Sequence, residues 1–216
     1  GEYITVYTGQ LEQGSTPSSY IPTSGATATR ASESLTIPAA NLQYSSTAMT
    51  IQMDGRVTYA DRGIYGEALL YEWYASATDK IVSELSTNSS DLGRLFFIQE
   101  AGDINDFVVN TSDDLTPDIL VPYSMSSRHG STFINGAVDG VALTANTTPT
   151  ALPDLSSTDL QLGKRYNGTI RNFSMWGNDI RDDGIEVVTQ PSLSPSLGLS
   201  FDGSEASQIQ FDWSEK

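Results

Sequence analysis

The feature that most constrains this chain is a recurring alternation of apolar and polar residues over short runs. In AMTIQMDG (Ala48 to Gly55), Met49, Ile51 and Met53 fall on one side. A period of two is the signature of a strand with one buried face. ALLYEWYAS (Ala68 to Ser76) and RLFFIQEAG (Arg94 to Gly102) are rich in aromatic and β-branched residues and end in small or turn residues. YITVYTG, DFVVNTS, STFINGAVDG and LGLSFDGSEASQIQFDW read the same way. Between them lie turn clusters such as TNSSDLG, TSDDLTPD and TANTTPTALPD. Short strands spaced by polar turns predict an all-β chain of two packed antiparallel sheets, a sandwich or jelly roll. One segment breaks the pattern. Ile180, Ile185 and Val188 fall on one helical face, with Asp182 and Asp183 in the first turn, where acids favour the positive helix end. This predicts one short helix near 180–189 that caps the sandwich.

The chain has 216 residues, enough for one large β domain with appendages. Residues 33–190 hold the expected sandwich. Residues 1–13 read as a strand from or towards a preceding domain, and 14–32, low in large apolar residues, as an extended arm. The stretch 191–216 reads as a C-terminal hairpin or extension. The first residues carry no initiator Met, no basic segment and no apolar leader, so the expectation is a mature product or a piece of something longer.

Charge narrows the partners. Eleven Lys and Arg against 27 Asp and Glu give −16. Binding phosphates needs a basic footprint, so no nucleic-acid partner is expected. No run approaches the roughly 18 apolar residues of a membrane span, so no membrane insertion is expected. There are no cysteines, which removes thiol chemistry, disulfides and Cys-ligated zinc.

Two segments resemble known families. LQLGKRYNGTIRNFSMWGNDIRDDGIEVVT (Leu160 to Thr189) resembles the closing signature of laminin-G-like, concanavalin-A-type jelly rolls. The matches include Leu160, Leu162, Gly163, Asn167, Gly168, Ile170, Phe173 and Trp176, and the short helix ending in Thr189. That resemblance implies a helix plugging the edge of the two sheets, with Phe173 and Trp176 packed beneath it as core. GQLEQGSTPSSYIPT (Gly9 to Thr23) resembles a junction of bacteriophage virion proteins and of related prophage or gene-transfer-particle products, where it leads into a laminin-G-like domain. This implies an extracellular virion or particle surface, with other virion proteins or copies of the chain as partners.

Chemistry favours binding over catalysis. Glucanases of this fold carry E-x-D-x-x-E on one strand, so that alternation points all the acids into one cleft. No such triplet occurs, and Glu67 and Glu72, five apart, are not expected to share a face. The lone histidine, His129, lies in SSRHGST and reads as a solvated turn residue. No enzyme is expected, and a carbohydrate-processing activity is the outlying alternative. Sugars stack their C–H faces on aromatic rings while polar groups take the hydroxyls. LLYEWYAS offers Tyr71 and Trp73 on one side, Glu72 and Tyr74 on the other. These four are the candidate glycan site for a host surface polysaccharide. Only one side can be core, so one pair should be exposed. A structural decoration or assembly domain without sugar binding is the second reading. Calcium takes hard oxygen ligands, which Asp103, Asn105 and Asp106 offer in AGDINDF, and Asp113, Asp114 and Asp118 in the next turn. Asn88, Asn110, Asn146, Asn167 and Asn172 each begin N-x-S/T and read as by-products of a Ser/Thr/Asn-rich β protein.

Overall fold

A computed structural model describes residues 35–59, 66–111 and 115–190, with short pieces at 3, 9–11 and 20–28. Among the described residues eleven strands form two sheets, and every strand pair is antiparallel. The strands are β1 (Leu35–Ile37), β2 (Ala48–Tyr59), β3 (Glu67–Ser76), β4 (Asp79–Ser86), β5 (Leu95–Ala101), β6 (Ile104–Val109), β7 (Asp118–Gly130), β8 (Ile134–Val138), β9 (Val141–Ala142), β10 (Leu160–Leu162) and β11 (Gly168–Trp176). A six-stranded sheet runs β1-β10-β3-β4-β5-β6, and a five-stranded sheet runs β11-β2-β7-β8-β9. Among the described residues the one α-helix is α1 (Arg181–Thr189). The expected all-β jelly-roll sandwich with a single short α-helix is what the described residues form.

The core lies between the sheets. Met49, Ile51, Met53 and Val57 from β2 meet Tyr71, Trp73, Ile81, Leu85, Leu95 and Phe97 from the six-stranded sheet. Leu160 and Leu162 of the closing signature are buried with them. Gly168 sits where β11 crosses β2 so closely that a Cβ would lie 2.0 Å from the Arg56 carbonyl oxygen. Gly136 faces the Phe97 ring at 2.2 Å in the same sense. At both places the missing side chain is the space a neighbour occupies.

Two strands were not legible. No alternating run was read over β4 or the long β7, and the end of β7 around His129 was read as a turn. Strand β7 turns Tyr123, Met125, Ser127 and His129 inward, in register with β2. Half of that inward row is polar, so the strand shows no apolar alternation to read.

The helix sits elsewhere than the resemblance implied. It does not plug the edge between the sheets. It lies across the outer face of the five-stranded sheet, against β2, β7, β8 and β9. Arg128 of β7 fastens it, with Nη1 2.6 Å from Asp182 Oδ1 and Nε 2.9 Å from Asp179 Oδ1. The same guanidinium lies 4.3 Å over the Phe133 ring. Asn135 donates to Asp182 at 2.6 Å, and Gly140 N donates to Thr189 Oγ1 at 3.1 Å. Phe173, opposite Met53, turns inward onto the core and not under the helix. Trp176 pairs with Thr50 on the outer side and is half-buried there, so it is not core.

The arm residues 20–28 carry no helix or strand. The strand expected at Tyr3 to Thr8 and the extension 191–216 lie outside the described residues, apart from Tyr3.

Candidate functional site

Strand β3 separates two environments. Its inward side carries Tyr71 and Trp73, both 0% exposed. Trp73 Nε1 donates to the Thr158 carbonyl at 2.8 Å, and its ring meets Tyr44 edge-on with centroids 5.8 Å apart. The Tyr71 hydroxyl lies 2.6 Å from Ser127 Oγ. Sealed rings cannot stack a sugar, so Tyr71 and Trp73 leave the candidate site and join the core. The outward side carries Glu72 and Tyr74, and Tyr74 is 47% exposed.

A β-bulge then does what sequence spacing did not suggest. The β3–β4 register steps from Leu69↔Glu84 to Tyr71↔Ser83, leaving Leu70 as the extra residue. An extra residue flips the alternation beyond it. Glu67 and Glu72, five positions apart, therefore do share the outer face. Glu84 joins them from β4, opposite Leu69.

The turn after β10 completes the site. Gly163 and Arg165 adopt φ of 69° and 55°, a left-handed path that glycine follows without strain. That path brings Lys164 and Arg165 over the outer face of β3. Lys164 Nζ reaches Glu72 Oε2 at 2.5 Å, and Arg165 pairs with Glu67. Lys80, in register with Tyr74, reaches Glu100 Oε2 at 2.9 Å. Glu67, Glu72, Lys80, Glu84, Lys164 and Arg165, with Val82, Ile98 and Asn105, line a cleft of about 290 Å³. Burial pushes the Glu84 carboxyl up from the ordinary range, and the nearby Glu67 charge adds to it; Lys80 and Arg165 pull the other way. The arrangement is a shallow mixed-charge cleft with fixed polar groups and an exposed tyrosine beside it.

The expected calcium ligands do not converge. Asn105 pairs with Glu100 on the outer face and lines the cleft, whereas Asp106 pairs with buried Gln99 on the opposite side. There Asp106 accepts from Thr150 N at 2.6 Å and tethers the 146–150 loop. Asp103 occupies a left-handed turn position before both. Adjacent strand residues point to opposite faces, so one ion cannot be held by this set. Asp118 opens β7 and accepts from Ile119 N, while Asp113 and Asp114 lie outside the described residues. Among the described residues no group of three or more His, Asp or Glu is placed to hold a metal.

His129 is the largest departure from the sequence reading. It is a fully buried strand residue, not a solvated turn residue. Its Nε2 lies 3.1 Å from Ser127 Oγ, and its Nδ1 lies 3.3 Å from Gln99 Oε1. Gln99 Nε2 donates to the carbonyls of Gly130 at 3.0 Å and Ala151 at 2.7 Å. Burial lowers the imidazole pKa to about 3, so it stays neutral at ordinary pH. A serine beside a histidine suggests a nucleophile and its base. Here Tyr71, Ser127, His129 and Gln99 are all 0% exposed, so substrate has no route to them. They form a satisfied polar knot joining the two sheets.

No family model matches the sequence, and no curated protein sequence matches it. Solved structures share the fold. The carbohydrate-binding module CBM40 of the Ruminococcus gnavus IT-sialidase, bound to α2,3-sialyllactose, aligns with a TM-score of 0.54 at 12% identity, over 74% of this chain and 97% of that one. The leech intramolecular trans-sialidase complexed with 2,7-anhydro-Neu5Ac aligns with a TM-score of 0.52 at 14% identity, over 67% of this chain and 23% of that one. The binding domain of botulinum neurotoxin DC, in complex with SialylT, gives 0.52 at 9% identity, over 67% and 35%. The chain thus spans nearly all of the bacterial module but only a quarter to a third of the other two. At these identities the likeness is one of fold.

Proposed function

We propose that this chain is a non-enzymatic glycan-binding module that holds a host surface polysaccharide against the outer face of its six-stranded sheet. The observation that carries this reading is Tyr74, 47% exposed and beside a cleft whose polar groups are locked in place by ion pairs. A ring face next to preset donors and acceptors is what a pyranose needs. The fold likeness to modules bound to sialylated sugars supports the class of ligand. The virion setting, a fibre, spike or tail at a particle surface, rests on the resemblance of the Gly9 to Thr23 junction. The test is a glycan array followed by titration of the best hit. Tyr74→Ala should weaken retention about tenfold while leaving the fold intact. Retention unchanged by that substitution would remove this face as the site.

One observation favours the second reading, a decoration or assembly domain. The edge strand β6 exposes Ile104 at 50% and Phe107 at 51%, and Phe107 contacts Phe96 on the same face. Sedimentation separates the readings. A stable oligomer that binds no sugar on the array supports assembly.

A further inference from the structure

Resting on the glycan-binding reading, the charge pairing inside the cleft points to the kind of sugar it takes. Among the described residues three bases line this cleft, and each pairs with an acid: Lys80 with Glu100, Lys164 with Glu72, and Arg165 with Glu67. Glu84 is the acid left over. It lines the cleft from β4 and holds no hydrogen bond or contact ion pair among the described residues. The neighbouring charges act on it only through space, Glu67 against ionisation and Lys80 and Arg165 for it. A sugar carboxylate entering here would have to break an existing ion pair and lie beside Glu84. A neutral sugar would give Glu84 hydroxyl donors but no opposite charge. A sugar ammonium would give it the cation it lacks, in a chain whose −16 charge draws cations inward.

We infer that the cleft takes amine-bearing glycans, of the kind found in de-N-acetylated hexosamine polymers, with the ammonium on Glu84 and a neighbouring ring on Tyr74. This departs from the sialylated ligands carried by the structures of similar fold.

The test uses the full chain and three probes: a glucosamine tetramer, an N-acetylglucosamine tetramer and 3′-sialyllactose. Titration calorimetry is run at about pH 6, below the usual range of an aliphatic amine. The expected order places the glucosamine tetramer about tenfold tighter than its acetylated counterpart, as one charge-assisted hydrogen bond predicts. Glu84→Gln, of the same shape, should remove that preference, bringing the two tetramers to within about twofold of each other. Tyr74→Ala should weaken both by a similar factor. A preference that survives Glu84→Gln would trace to net charge alone and overturn the assignment. So would equal or tighter binding of the acetylated or sialylated probe, which would leave the glycan-binding reading standing. No binding of any probe, with no hit on the array, would overturn both.

Discussion

Two polar clusters lie on opposite sides of the same six-stranded sheet, and they differ in almost every respect that matters for function. The inner one, Tyr71, Ser127, His129 and Gln99, contains the residue types of a hydrolase, yet each is fully buried and hydrogen-bonded. The outer one, Glu67, Glu72, Lys80, Glu84, Lys164 and Arg165, contains only common surface charges, yet it is open and lines a cleft. Residue type alone would rank the two the wrong way round. Buried polar groups must be satisfied or they destabilise the fold, so the inner cluster is closed upon itself. The outer cluster can leave Glu84 without a contact partner because solvent reaches that face. Strand β3 contributes to both clusters, and adjacent residues on it take opposite fates.

The sharpest way to break this contrast is to truncate neighbours on β3. Trp73→Ala should cost about 3–5 kcal/mol of stability, as large aromatic-to-Ala changes in cores do. Tyr74→Ala should cost less than about 0.5 kcal/mol, as surface changes do. Denaturant unfolding of both variants measures it, and equal losses would mean that the outer side is packed as well.

Acid should act next most strongly, through the inner cluster. His129 is depressed to about 3 in the folded chain, whereas an unfolded histidine titrates near 6.5. Between those values the unfolded state binds the proton first, so stability falls as pH drops below about 6.5. The slope is about 1.4 kcal/mol per pH unit, or roughly 3 kcal/mol by about pH 4. Carboxylates titrate in the same window, so the comparison is with His129→Gln, whose stability should fall less steeply. Parallel pH profiles of the two proteins would show that His129 takes up its proton while folded.

Gln99→Leu should cost about 1–3 kcal/mol, because it strands the Gly130 and Ala151 carbonyls and one imidazole nitrogen in the core. Thermal melts would detect it, and a neutral result would mean that water enters the knot.

The smallest effect belongs to the outer cluster. Glu84 is raised in the folded chain, so the stability linked to its proton is present at low pH and is lost as pH rises through the raised value. Glu84→Gln should therefore stabilise the chain slightly at about pH 7 relative to wild type, and not at about pH 4. A destabilisation at neutral pH would show that the carboxylate makes a contact that the fold depends on.

The sequence by itself determined the fold class and the division of β3 into two sides. Alternation places Tyr71 with Trp73 and Glu72 with Tyr74 because successive strand residues point oppositely. It also placed the helix, which runs Arg181–Thr189 where apolar spacing and first-turn acids put it. It could not place that helix on a sheet face, since Arg128, which fastens it to the sheet, precedes Asp182 by 54 residues. It missed β7 because the core accepts Ser127 and His129 only when Tyr71 and Gln99 arrive from the other sheet. It separated Glu67 from Glu72 because a bulge at Leu70 leaves no mark in a list of apolar residues. The cleft was hidden for the same reason, since Lys164 meets Glu72 across 92 residues of chain. A period is a local property and survives in the sequence. Burial, bulges and ion pairs depend on which distant residues meet, and only the packing of the two sheets decides that.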